Sequence, residues 1–305
     1  MKLTDHTGGA ASFARRLTKR AALGLAALAL SGAALAQGAP IRIVAAENFY
    51  GDVAKQLGGS HVSVTSILSN PDQDPHLFEA SPKTARDLHW ATLVVYNGAD
   101  YDPWMDKLLA ASSNDKRAVI VAADLVGKKA GDNPHLWYDP QTMPAVAKQI
   151  VAALDRADAA HKADYDKNLA QLLASLKPID DKVAALKAKY QGVPVTATEP
   201  VFGYMSDAIG LQMRNARFQL AVMNDTEPSA SDIAAFEQDL RGRRVRVLIY
   251  NSQATEALTK RMLALAKHSG VPAMSVTETE PAGKTFQQWM LGQLETLSAA
   301  LGQTN

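Results

Sequence analysis

Between Ala159 and Tyr190 the chain has no strand signal, and Leu169, Leu172, Leu176, Ile179, Val183, Leu186 and Tyr190 recur at alternating steps of three and four. That spacing lays one continuous apolar stripe along a helix. At 1.5 Å per residue such a helix spans on the order of 45 Å, the width of a whole protein. Pro178 falls inside it and is expected to kink or restart it, because a mid-helix proline lacks a donor. Two stacked helices or a short coiled coil would satisfy the same pattern. Each of these arrangements divides the chain in two.

Both halves show short β-rich runs alternating with helical stretches, which implies helix-covered parallel sheets. In the first half, Ile41 to Glu47, His61 to Leu68, Leu93 to Asn97 and Ala118 to Ala122 read as strands. Tyr50 to Leu57, Ser81 to Trp90 and Trp104 to Ala111 read as the helices between them, and Met143 to Arg156 as the one that closes the unit. In the second half the strands are expected at Val193 to Thr198, Gln219 to Met223, Val245 to Asn251 and Pro272 to Thr277. Helices are expected at Val201 to Ile209, Ser231 to Leu240, Thr255 to His268 and Phe286 to Leu301. Ser229 and Asp232 make an S-x-x-D cap, which leaves Asp225 and Glu227 before it on a solvated turn. The predicted fold is α/β: two (βα) lobes with mainly parallel four-stranded sheets, joined by one long linker helix.

Two short motifs echo each other. Asp74 to Glu79 reads D-P-H-L-F-E, and Asn133 to Asp139 reads N-P-H-L-W-Y-D. In each, a proline stiffens the backbone before a histidine and an aromatic follows, so the imidazole is presented by a rigid segment beside an apolar wall. His76 and His135 lie in loops after strands, and Glu199 and Glu278 each directly follow one. Ligands of open parallel sheets bind outside the carboxyl ends of the strands, so all four fall where a site is expected. Two neutral imidazoles and two carboxylates match the charge of a divalent ion. An N/O set of this kind suits Zn, Mn or Fe(II).

Each residue also has a plainer role open to it. Glu199, followed by Pro200, could cap the next helix, and Glu278 could share a solvated acidic loop with Glu280. Trp137, Phe78, Phe202 and Tyr204 read as pocket wall and core, and Asp132 or Asp139 could orient an imidazole. His61, His89, His161 and His268 show no partner pattern and read as solvated or packed.

Arg15, Arg16, Lys19 and Arg20 precede an apolar run from Ala21 to Leu35 and an Ala34-Leu35-Ala36 cleavage motif, the form of a signal peptide cut after Ala36. The run falls short of the ~20 residues a spanning helix needs. Of 32 Lys and Arg and 31 Asp and Glu, that leader carries five and one, so the mature chain holds 27 against 30 and is mildly acidic. Such a balance recruits neither nucleic acid nor an anionic membrane surface. The sequence has no cysteine, which removes thiolate ligands, disulfides and an N-terminal lipidated cysteine, and fits an exported, soluble periplasmic monomer.

Further segments add E-P-V-F-G-Y from Glu199, T-E-P-S after Asp225 and T-E-T after Val276. With D-P-H-L-F-E-A-S-P and N-P-H-L-W-Y-D-P, these make essentially the whole mature chain resemble the zinc and manganese solute-binding proteins of bacterial ABC importers, the TroA-like group. That resemblance implies His76 and His135 as the first two ligands. Glu199 occupies a position where zinc-selective members usually carry histidine and manganese members often glutamate. Glu278 stands where the group normally has aspartate, and its extra methylene requires the backbone to give way or the carboxylate to bind through one oxygen; Glu280 is the alternative. The resemblance further implies one divalent ion (Zn or Mn, with Fe(II) possible) as cargo, a membrane permease as partner, and no enzymatic activity. The expected division is a leader over 1–36, a metal-binding lobe over 37–158, a linker helix over 159–190 and a second lobe over 191–305.

The rival readings are a periplasmic metallohydrolase on the same ligands, a receptor for a chelated metal or organic solute, and a surface adhesin. A hydrolase would need an open coordination position and a general base, and no H-E-x-x-H or G-x-S-x-G occurs. Because the histidines must be neutral and the glutamates ionised to coordinate, affinity for the ion should fall continuously from about pH 8 to about pH 5. A flat response in a competition titration would show that the ligand set is wrong.

Overall fold

The computed structural model describes residue 1 and residues 39–70, 78, 81–254 and 256–303. From residue 41 onward the chain forms one compact unit. Its first half runs β1 (Ile41–Glu47), α1 (Asn48–Gly58), β2 (Val62–Leu68), α2 (Pro82–His89), β3 (Leu93–Tyr96), α3 (Trp104–Ala111), β4 (Ala118–Val121), a single turn α4 (Ala122–Leu125) and α5 (Thr142–Ala157). The long helix α6 (Lys162–Tyr190) follows. The second half runs β5 (Pro194–Ala197), α7 (Gly203–Ile209), β6 (Gln212–Arg214), α8 (Ala216–Met223), α9 (Ala230–Arg241), β7 (Leu248–Asn251), α10 (Ala257–Ser269), β8 (Ala273–Val276) and α11 (Phe286–Gly302).

All pairings are parallel, and the two sheets have the same order, β2-β1-β3-β4 and β6-β5-β7-β8. In each, the crossover direction reverses between the first and third strands of the lobe, which opens a crevice at their carboxyl ends. Strands β1, β3 and β7 are almost wholly buried, as expected of strands covered by helices on both faces.

Helix α6 is continuous through Pro178, contrary to the expected kink or restart. Pro178 and Ala174, whose carbonyl loses its helical partner, are both on the exposed face, so water satisfies the freed oxygen. The predicted stripe is the buried one: Leu172, Leu176, Ile179, Val183 and Leu186 enter the core, with Leu169 and Tyr190 packed at its margin.

The second strand of the rear lobe lies elsewhere than expected. Residues 219–223 belong to α8, and the strand is the three-residue β6 just before it. An edge strand this short, with sequence Q-M-R, has no apolar run to advertise it, whereas Gln219 to Met223 imitates one. The Ser229 hydroxyl accepts from the Asp232 amide at 3.1 Å, the cap expected for α9, and Asp225 and Glu227 are exposed.

One apolar core serves both sheets and α6. Phe49, Trp137, Tyr138, Phe202 and Trp289 run through it from lobe to lobe, with centroid spacings of 4.7 Å (Phe49 to Trp137), 5.1 Å (Tyr138 to Phe202) and 5.7 Å (Tyr138 to Trp289). Hydrogen bonds stitch the same seam: Asn48 pairs reciprocally with the backbone of Glu280, and the Tyr138 hydroxyl donates to the Thr277 carbonyl at 2.8 Å. Leu176→Ala on the buried face of α6 should lower unfolding stability by about 2–5 kcal/mol with an unchanged denaturant slope. Gln171→Ala on the exposed face should leave the urea midpoint where it is.

Candidate functional site

His135 is fully buried at the start of the 3₁₀ turn Leu136–Tyr138. The loop carrying it is anchored from β3: Asn97 donates through Nδ2 to the Pro134 carbonyl at 2.8 Å and accepts from the Tyr50 hydroxyl at 2.9 Å. The Asn133 carbonyl oxygen accepts from the His135 backbone amide (3.2 Å) and faces Nδ1 at 2.7 Å. That second bond assigns the Nδ1–H tautomer and leaves the Nε2 lone pair pointing inward. Nε2 is buried and has no hydrogen-bond partner among the described residues. Tyr101 and Trp137 wall the ring edge-on.

The rear lobe brings two carboxylates to the same place. Glu199 follows β5, Glu278 follows β8, and both are buried. Between them stands Asn251, the last residue of β7, which donates one Nδ2 hydrogen to Glu199 Oε2 (2.9 Å) and the other to Glu278 Oε1 (2.6 Å). The Asn251 carbonyl oxygen accepts from the Gln253 amide, and the Gln253 side chain accepts from the Glu278 amide at 2.6 Å. Three strand ends thus hold two acidic side chains on one amide.

The lobes meet at these residues. Glu278 Oε2 lies 3.6 Å from His135 Nε2, too far for a hydrogen bond. It is close to the roughly 3.4 Å between two donors on one tetrahedral ion with metal–ligand bonds near 2.1 Å. Asn133 also crosses the cleft, donating through Nδ2 to the Pro200 carbonyl at 2.8 Å and accepting at its backbone carbonyl from the Tyr204 hydroxyl at 2.7 Å. A side chain at Gly203 would come within 2.8 Å of Asn133 Nδ2, so a glycine there lets the two lobes approach. Burial, then the charge of Glu278, push the Tyr101 phenol well up, and the phenol stays neutral.

Of the four expected ligands, the structure brings His135, Glu199 and Glu278 together; His76 lies outside the described residues. Glu280 is turned to another setting, its backbone held by Asn48 and its carboxyl pushed up to about 9 by burial and then by the Asp52 charge. Asp132 and Asp139 cap local backbone amides, and the imidazole is oriented by Asn133 instead. Phe78 packs on Trp104.

Residues 43–300 match the protein family described as ZnuA, zinc-uptake complex component A, periplasmic. The chain belongs to the ZnuA family. Among its relatives, the manganese ABC transporter substrate-binding lipoprotein PsaA of Streptococcus mitis is 23% identical over 292 residues, 88% of this chain and 91% of that protein. The iron ABC transporter substrate-binding lipoprotein MtsA of Streptococcus pyogenes serotype M1 is 23% identical over 303 residues, 92% and 94% of the two chains. In fold the chain is similar to the periplasmic zinc-binding protein TroA from Treponema pallidum, with a TM-score of 0.73 at 18% identity over 87% of this chain and 100% of that one.

Within this ZnuA-family chain, sequence reasoning missed Asn133, Asn251 and the buried acids Glu47 and Asp102. A signal for Asn251 was present: β3 ends at Tyr96 with Asn97 directly after it, and β7 ends in Tyr250-Asn251, the same dipeptide at the equivalent strand end of each lobe. Glu47, at the end of β1, is pushed well above the usual carboxyl range by burial and then by the Asp102 charge. Asp102 itself is raised to about 6 by burial and caps the amides of Asn97 and Gly98, at 2.7 and 2.8 Å.

Asn251→Ala should destabilise the metal-free protein by at least ~1.5 kcal/mol at neutral pH, since both buried carboxylates lose a charged hydrogen bond. Saturating metal should restore most of that loss, read by urea unfolding with and without the ion.

Proposed function

We propose that this protein captures a divalent transition-metal ion between its two lobes, residues 37–158 and 191–305, and delivers it to the membrane permease of an ABC importer. The observation that carries the reading is the inward lone pair of His135 Nε2, buried without a hydrogen bond among the described residues and 3.6 Å from a buried carboxylate oxygen. An imidazole kept in that state inside a protein wants a Lewis acid. His135, Glu199 and Glu278 supply three donors, and His76, on the segment between β2 and α2, the fourth. Membership of the ZnuA family and the manganese and iron transport roles named for PsaA and MtsA point to the same cargo class. The working location is the periplasm, after cleavage of the leader following Ala36.

A four-side-chain set favours zinc. Asn251 hydrogen-bonds to one oxygen of each glutamate and so orients both carboxylates. With one oxygen from each carboxylate and two imidazoles the shell holds four donors. Four N/O donors suit tetrahedral zinc, whereas manganese prefers a larger oxygen-rich shell. This also accommodates a glutamate at 278: its extra methylene is taken up by single-oxygen binding. A shell filled by four side chains leaves no position for an activated water, so the arrangement serves capture rather than hydrolysis.

His76→Ala, His135→Ala, Glu199→Ala and Glu278→Ala should each weaken zinc binding at least tenfold in a chelator-competition assay. His268→Ala, on the last turn of α10, should leave it unchanged. Equal effects at all five positions would mean adventitious surface binding.

A further inference from the structure

His61 and His161, which carry no motif, meet at the end of the first lobe opposite the cleft. His61 closes the turn Gly59–His61 ahead of β2, at the amino ends of the parallel strands, and His161 closes the turn Ala159–His161 ahead of α6. Their rings stack with centroids 3.9 Å apart and planes at 25°. Asp158, which caps α5, places Oδ2 2.6 Å from His161 Nδ1 and accepts from the Tyr165 hydroxyl at 2.8 Å. Asp164 Oδ2 lies 3.0 Å from His61 Nε2. One donor atom from each of His61, Asp158 and His161 lies within 4.8 Å of the others.

We propose that His61, Asp158 and His161 form a second divalent transition-metal site, independent of the cleft and weaker than it. Two ring nitrogens and a carboxylate oxygen are a zinc-type donor set, with Asp164 or water to complete it. Lys162, the nearest cation in sequence, is already engaged by Asp155 and Asp166.

The His161 and Asp158 side chains are 40% and 23% exposed, which leaves them room to turn towards one ion. No lobe has to move. An ion here would clip the start of α6 to the lip of the first sheet, on the face remote from the cleft. Its exposure predicts rapid exchange, in contrast to the buried ligands between the lobes.

The test is calorimetric titration of untagged, chelator-stripped protein with Zn²⁺, repeated with Co²⁺ under visible absorption. The expected result is two equivalents, the second at least tenfold weaker than the first. His61→Gln and His161→Gln should each abolish the weaker step and keep the tight one, whose survival also shows that the variants are folded. Glu199→Ala should do the reverse. A single equivalent in the unmodified protein, or a weak step that persists in both histidine variants, would overturn the proposal.

Discussion

Two carboxylates and a neutral imidazole, held out of water within reach of one another, oppose folding unless something compensates them. Part of that compensation is one primary amide. The Asn251 Nδ2 group divides its two hydrogens between Glu199 and Glu278, while Asn133 fixes the imidazole tautomer from the other side. Neither amide neutralises charge. They hold the three side chains in one arrangement, the one that the proposed capture of a divalent ion would use.

The rest of the fold serves that geometry. The carboxyl ends of β5, β7 and β8 carry Glu199, Asn251 and Glu278, while the β3 end reaches the His135 loop through Asn97. A cleft between two lobes is useful only if the lobes return to the same spacing, and the aromatic row from Phe49 to Trp289 makes large hinge motion costly. Most of its rings are fully buried, and each would lose its packing if the seam opened widely. Capture and release then involve small displacements near the cleft mouth, with α6 keeping the lobes in register along the far side.

The α/β alternation, the division at α6 and the buried stripe were legible in the sequence because each follows from a period, two residues for strands and 3.6 for the helix. The ligand candidates His135, Glu199 and Glu278 were legible because proline-histidine and strand-end positions are local features. What escaped was set by long-range partners. Asn251 reads as an ordinary strand terminus until β5 and β8 are placed beside β7. Glu278 and Glu280 are equally acidic on paper, and only burial against Asn251 rather than Asn48 separates them. His61 and His161 lie far apart in sequence, so their stacking cannot be read from any spacing. Residues 219–223 were mistaken for a strand because a short apolar run carries no period long enough to tell a strand from a helix.

The amide also bears on selectivity. In N/O sites affinity alone follows the intrinsic order of the metals and does not by itself match cargo to transporter. What a protein can control is how many donors it offers and how far they can move. Here Asn251 orients both glutamates through one oxygen each, and Gln253 accepts from the Glu278 backbone amide. The proposed set of two imidazoles and two carboxylates would offer four to six donors, according to whether each carboxylate binds through one oxygen or two, and the larger numbers suit manganese. In the proposed site the choice between the two metals would then turn on how neighbouring amides orient the carboxylates, with the ligands themselves unchanged.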